Sequence, residues 1–177
     1  MMLPPPTPTL ISAKMSSSKI RILGIDPGTG ILGFGVIDSA ADGKATLVDG
    51  GVIRTPANQL LDGRLIEIYR HLASVISKTR PTVMAIEKLF FAQNVTTAMS
   101  VSHARGVAML SGKLAGLEIA EYTPLQIKQA LTGYGRADKK QMQEMVRVIL
   151  GLKEVPTPDD CADALACAIT HAMTTRS

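Results

Sequence analysis

The sequence predicts an α/β protein built on a five-stranded mixed sheet, three antiparallel strands followed by parallel ones, with helices on both faces. Three observations lead there. Apolar, β-branched runs joined by short turns open the chain, which makes an antiparallel meander. Near residue 60 the apolar spacing changes from strand-like to helical. Short apolar runs then alternate with helical segments, as parallel strands with crossover helices do. The chain has 177 residues, 46% hydrophobic and 19% charged. That length suits one domain with a substantial core and no need for staples. No internal repeat or long linker divides it, so residues 19–177 read as one domain.

The elements follow in order. Lys19–Ile25 reads as a strand, and Asp26-Pro-Gly-Thr-Gly30 as a turn. Ile31–Asp38 and Thr46–Arg54 are the next strands, separated by a turn at Ala41–Lys44. Leu61, Leu65, Ile68, Leu72 and Ile76 mark an amphipathic helix over Leu60–Lys78, ended by Pro81. Thr82–Ile86 is a short buried strand. A long helix covers Thr96–Leu114, with Ala98, Ser102 and Gly106 recurring every four residues. Such small residues let another helix approach closely, from within the chain or from a second copy. Leu117–Tyr122 is the fifth strand. Thr123 with Pro124 opens a helix that Gly133 ends; Asp138 caps another that Gly151 ends. Thr157-Pro158 starts the last helix, which runs to about Met173.

Composition excludes several classes. No apolar run reaches the roughly 18 residues of a membrane span. With no Trp, three Phe and three Tyr, stacking on an aromatic platform is not the binding mode. Residues 1–18 carry four prolines and a serine run. They lack a signal peptide's apolar region, and read as a disordered leader of a cytoplasmic protein. Cys161 and Cys167 would point about 240° apart on one helix, which makes them free thiols in a reducing compartment. The net charge is +4. Residues 123–153 hold Lys128, Arg136, Lys139, Lys140, Arg147 and Lys153 against Asp138 and Glu144, a surplus equal to that of the whole chain. A concentrated basic segment fits a polyanionic partner, or else a solvated helix face.

The acids carry the chemistry. Asp26 and Glu87 each close a hydrophobic strand, where a carboxylate is costly unless paired or metal-bound. Strand ends in an α/β sheet also face the ligand crevice. Asp160 and Asp163, spaced i and i+3, share a face at the start of the last helix. Four carboxylates at one crevice repel one another, and hard cations such as Mg²⁺ or Mn²⁺ relieve that. Two ions about 3.5–4 Å apart suit phosphodiester hydrolysis. Each acid also has a plainer role. Asp160 could form a capping box with Thr157, Asp26 could belong to the turn, and Glu87 could cap the following loop or pair with Lys88. Asp159 is an alternative to Asp160. The glycines from Gly28 to Gly35 lie between two strands, not between strand and helix. They therefore read as a tight turn plus close backbone approach, not as a nucleotide loop.

Taken together, Leu23–Thr29 (LGIDPGT), Gly33–Val36, Ala85-Ile-Glu87 with Phe90 and Asn94, His103–Ala108, Asp160–Leu165 and Ala168–His171 resemble the RuvC family of Holliday-junction resolvases. The resemblance runs from about Lys19 to His171. It implies an RNase H-like fold, a homodimer, and metal-dependent cleavage of four-way DNA junctions into 5′-phosphate and 3′-hydroxyl ends. By resemblance the catalytic, metal-holding acids are Asp26, Glu87, Asp160 and Asp163, holding two Mg²⁺ per site, with Mn²⁺ able to substitute. Phe90 corresponds to an aromatic that engages bases at the crossover, though it could also be a core side chain. Lys128 and Lys139 correspond to DNA-binding lysines, and Lys140 and Arg147 could share their face. RuvA and RuvB, the branch-migration proteins, are the implied partners. Competing readings are a non-catalytic junction-binding relative, a nuclease acting on RNA–DNA hybrids, and an actin-like ATPase. The last needs a second lobe for which 177 residues leave no room.

Overall fold

A computed structural model describes residues 19–89 and 95–175. The expected leader over residues 1–18 and the Phe90 assignment lie outside these.

The order of elements is the expected one. Strands β1 (Ile20–Asp26), β2 (Ile31–Ser39) and β3 (Ala45–Arg54) precede helix α1 (Leu61–Thr79) and strand β4 (Val83–Glu87). Helix α2 (Val95–Leu114), strand β5 (Glu118–Tyr122) and helices α3 (Pro124–Thr132), α4 (Lys139–Leu150) and α5 (Asp159–Thr174) complete the chain. The five strands form one sheet in the order β3-β2-β1-β4-β5. β1, β2 and β3 pair antiparallel, whereas β1–β4 and β4–β5 are parallel.

Alternation along the strands divides the core into two layers. Leu23, Ile25, Val36, Met84 and Ile86 pack against Ile68, Leu72 and Ile76 of α1 and Ala104 and Ala108 of α2. Ile22, Ile37 and Ala85 face the other way, onto Ile127 and Leu131 of α3, Met142 and Val146 of α4, and nearly the whole of α5. Among the described residues, two helices therefore cover one face and three the other.

Local chemistry explains most boundaries. Thr123 and Asp138 each close a capping box, with Gln126 and Gln141 as the returning partners. Gly133 and Gly151 take left-handed backbone at the ends of α3 and α4. α5 differs from expectation. It begins at Asp159 after a cis Thr157–Pro158 bond, and no side chain caps it. The Thr157–Asp160 capping box is therefore not formed, and Asp160 is left to face the sheet.

The glycines show what the sheet is built to receive. A Cβ on Gly24 would lie 1.9 Å from the Ala164 carbonyl oxygen, and one on Gly33 2.0 Å from that of Asp160. On Gly35 it would strike the Leu165 side chain at 2.5 Å. These three glycines let α5 lie backbone-to-backbone on β1 and β2. Gly28 serves the tight turn, where a Cβ would meet the Ile31 carbonyl oxygen at 2.0 Å. Both halves of the sequence-based reading of this stretch hold, and the second decides where α5 sits.

Candidate active site

The site assembles at the carboxyl ends of the two central parallel strands. β1 and β4 pair as far as Ile25↔Ile86. Asp26 and Glu87 are the next residues on each, so they stand on adjacent strands roughly 4.8 Å apart. Opposite Asp26, Gly33 carries the start of α5 against the sheet. This brings Asp160 and Asp163 to the same end.

The electrostatics follow from the grouping. Burial, then the charges of Glu87, Asp163 and Asp160, push the Asp26 carboxyl up to about 7. Burial and Asp163 push Glu87 up to about 6. Burial also raises Asp163, against the pull of Lys139. Asp159, by contrast, is tied to α4. It accepts from Gln143 Nε2 at 2.9 Å and pairs with Lys139 Nζ at 3.0 Å, and the Lys139 bond lowers its pKa. Asp160 is the one of the two whose charge bears on Asp26, whereas both Asp159 and Asp160 bear on Asp163.

Among the described residues, no three His, Cys, Asp or Glu side chains yet surround one point as in a closed metal site. The four carboxylates form an open, mutually repelling group. Oxygen-only donors are the kind a hard divalent cation takes.

The basic residues separate into two sets. Lys128 and Lys139 line a cleft of about 220 Å³ together with Glu87 and Asp163. Lys139 Nζ also lies 3.6 Å from Asp163 Oδ2. Lys140 instead lines a separate groove between α3 and α4, beside Leu131, Tyr134 and Met145. Arg147 is already engaged, with its Nε 2.9 Å from a Glu144 carboxylate oxygen and its Nη1 donating to the Leu152 carbonyl at 3.2 Å. The helical spacing that grouped Lys140 and Arg147 with Lys139 does not bring them into the cleft.

Three features escaped the sequence. Arg105 of α2 donates from Nε to the Glu87 carbonyl oxygen at 3.0 Å and pairs with Glu121. Glu87 still pairs with Tyr122 of β5 but lies one residue past the last pair with β1, and a backbone carbonyl outside the ladder on that side takes another partner. Thr55 ties down the turn after Asp26, its N–H donating to the Gly30 carbonyl at 3.1 Å and its hydroxyl to that of Thr29 at 2.6 Å. Cys167 lies buried behind the site, where burial and the nearby charges of Glu87 and Asp26 push its thiol well up. Both cysteines are free and buried.

The sheet and its helices recur in known proteins. A family model described as Crossover junction endodeoxyribonuclease RuvC matches residues 22–171. The chain belongs to the RuvC family. RuvC of Brevibacillus brevis is 54% identical over 154 residues, covering 87% of this chain and 92% of the relative. RuvC of Chloroflexus aurantiacus is 51% identical over 155 residues, 88% of this chain and 94% of the relative. The solved structure of Thermus thermophilus RuvC in complex with a Holliday junction substrate aligns with a TM-score of 0.83 at 40% identity. It covers 89% of this chain and 95% of that one. RuvC architecture is RNase H-like, and the sheet order and two helical layers described above are those of an RNase H-like fold. RuvC nucleases depend on divalent metal, and the oxygen-only donor set suits one.

Proposed function

We infer that this protein resolves Holliday junctions, cutting two symmetric strands to leave 5′-phosphate and 3′-hydroxyl ends in DNA recombination and repair. The observation that carries this is the convergence of Asp26, Glu87, Asp160 and Asp163 from two strands and one helix, beside a cleft lined by Lys128 and Lys139. Residues 19–177 act as a single nuclease domain.

The four acids are the catalytic and metal-holding residues. Held by these acids, a pair of Mg²⁺ ions, or Mn²⁺ in their place, would supply Lewis-acid activation of a water and charge stabilisation of the leaving 3′ oxygen. The chain's own part is to fix the acids on rigid strand ends and to hold the substrate. Glu87 is oriented by the Arg105 bond to its carbonyl. Lys128 and Lys139 hold phosphates of the strand to be cut. Lys139 exchanges its contacts with Asp159 and Asp163 for DNA, so both acids gain room as substrate enters. Phe90 follows Glu87 closely enough in sequence to engage bases at the crossover. Lys140 and Arg147 would meet only DNA that continues beyond the cleft.

Two equivalent strands require two sites, which a two-fold homodimer provides. The outward face of α2 supports that assembly. Ala104 and Ala108 face the sheet, while Gly106 is exposed with open space around it. Met99, Leu110 and Leu114 are exposed on the same outward side. RuvA and RuvB are the proposed partners. Among the described residues no helix is long and apolar enough to cross a membrane, and the cytoplasm is the proposed location.

The test is a labelled mobile four-way junction beside its duplex control, with Mg²⁺, Mn²⁺ or chelator, and Asp26→Asn run in parallel. Paired symmetric nicks on the junction alone, absent with chelator and in the variant, are expected. Junction binding without nicks in either metal would replace this function with a non-catalytic, junction-binding one.

A further inference from the structure

Among the described residues, four arginines are partly buried: Arg21, Arg64, Arg105 and Arg147. Three of them pair with a carboxylate, namely Asp38, Glu121 and Glu144. Arg64 does not. It stands in the first turn of α1 and is held by one side-chain bond, from Nε to the Thr55 hydroxyl at 2.8 Å. A guanidinium has five N–H donors in a fixed fork. The four on its terminal nitrogens have no protein partner among the described residues.

The place of that fork is specific. A Cβ built on Gly30 would lie 3.1 Å from Arg64 Nη2. The guanidinium therefore lies against the turn that begins immediately after Asp26. Thr55 anchors both sides of this contact, accepting from Arg64 while donating to the Thr29 and Gly30 carbonyls. Thr29 reaches α2 in turn, through Ser100 Oγ at 3.4 Å. The side chain is thus pre-oriented, part-desolvated and without an acid. A fork in that state is suited to bidentate recognition of phosphate.

We propose, resting on the resolvase function above, that Arg64 is a phosphate ligand for the DNA strand crossing the Asp26 turn, and that Thr55 is its positioning residue. Lys128 and Lys139 approach the acids from the α3–α4 side of the sheet. Arg64 approaches from the α1 side. The strand is then gripped on both flanks of the carboxylates, which fixes the scissile phosphate between them.

The experiment measures junction affinity across a salt series, in the Asp26→Asn background so that the DNA stays intact. Each phosphate contact contributes about −0.9 to the slope of log affinity against log salt. Arg64→Gln is expected to flatten the slope by about one, with thermal stability and Mn²⁺ binding to the free protein (measured with Asp26 intact) unchanged. Thr55→Val is expected to lose part of the same slope, and Thr55→Ser, which keeps the hydroxyl, to restore it. An unchanged slope in a folded Arg64→Gln protein overturns the proposal. If Arg64→Gln melts early, Thr55→Val with an unchanged slope overturns it instead. Failure of the parent protein to bind the junction at all overturns the resolvase function as well, and is read before any variant.

Discussion

At the residue scale, the decisive property of Asp26 is the cost of its charge. Its carboxyl is raised from 3.8 to about 7, by burial first and by its acidic neighbours second. The folded protein therefore holds a proton that the unfolded chain releases between about pH 4 and 7, and stability falls as pH rises through that window. Asp26→Asn should raise the melting temperature of metal-free protein at pH 8 and leave it unchanged near pH 4. One pKa unit is worth about 1.4 kcal/mol. Even a third of the shift, about 1.5 kcal/mol, gives roughly 3–6 °C at this size, which a pH series of thermal melts would read. Because metal binds the ionised acids, cleavage at limiting metal should rise between about pH 6 and 7, following Glu87 and Asp26. Lys139 is a contrasting case. Its partners Asp159 and Asp163 are 59% and 38% exposed, and it is itself 55% exposed. Solvent screens such exposed pairs, which contribute little to stability. Lys139→Gln should scarcely change the melting temperature, yet it should flatten the salt dependence of junction binding by about 0.9.

At the element scale, α5 matters most, because it carries two of the acids and lies directly on β1 and β2. Its seating depends on the absence of side chains at Gly24 and Gly33. Gly33→Ala would set a Cβ 2.0 Å from a backbone oxygen of α5, where no flexible side chain can yield. The expected cost is about 1–3 kcal/mol, with cleavage lost because Asp160 is displaced. A variant that kept full stability and activity would show that α5 can slide, against the geometry seen here. The strands and helices themselves were legible. Period-two and period-3.6 patterns, Thr123, Asp138, Gly133 and Gly151 placed them to within a residue or two. The start of α5 was less legible, since the Thr157-Pro158 pair looks like a cap but leaves no side-chain bond to the helix.

At the scale of the whole molecule, the sheet ends define one reactive edge and α2 defines another surface. α2 links the two through Arg105, which meets Glu87 on one side while its helix presents Gly106, Leu110 and Leu114 outward. Gly106→Glu should leave the fold intact, since nothing lies within 4 Å of the added Cβ. It should shift the protein to monomers in sedimentation and turn paired nicks into rare single ones. A dimer that persists unchanged would place the two-fold contact elsewhere.

Periodicity and turn chemistry are local, so the sequence by itself determined the order and type of the elements and singled out a short set of candidate acids at strand ends and at the start of the last helix. It also determined that the basic surplus gathers between residues 123 and 153. Contacts between distant segments were beyond it. Only the tertiary structure decided that Lys139 faces the acids while Arg147 is spent on Glu144, and that Glu87 is held by Arg105 from 18 residues away. The reason is physical. A helix face or strand end is fixed by its own residues, but what it meets is fixed by packing, and here glycines that look like turn residues set that packing by letting α5 rest on the sheet.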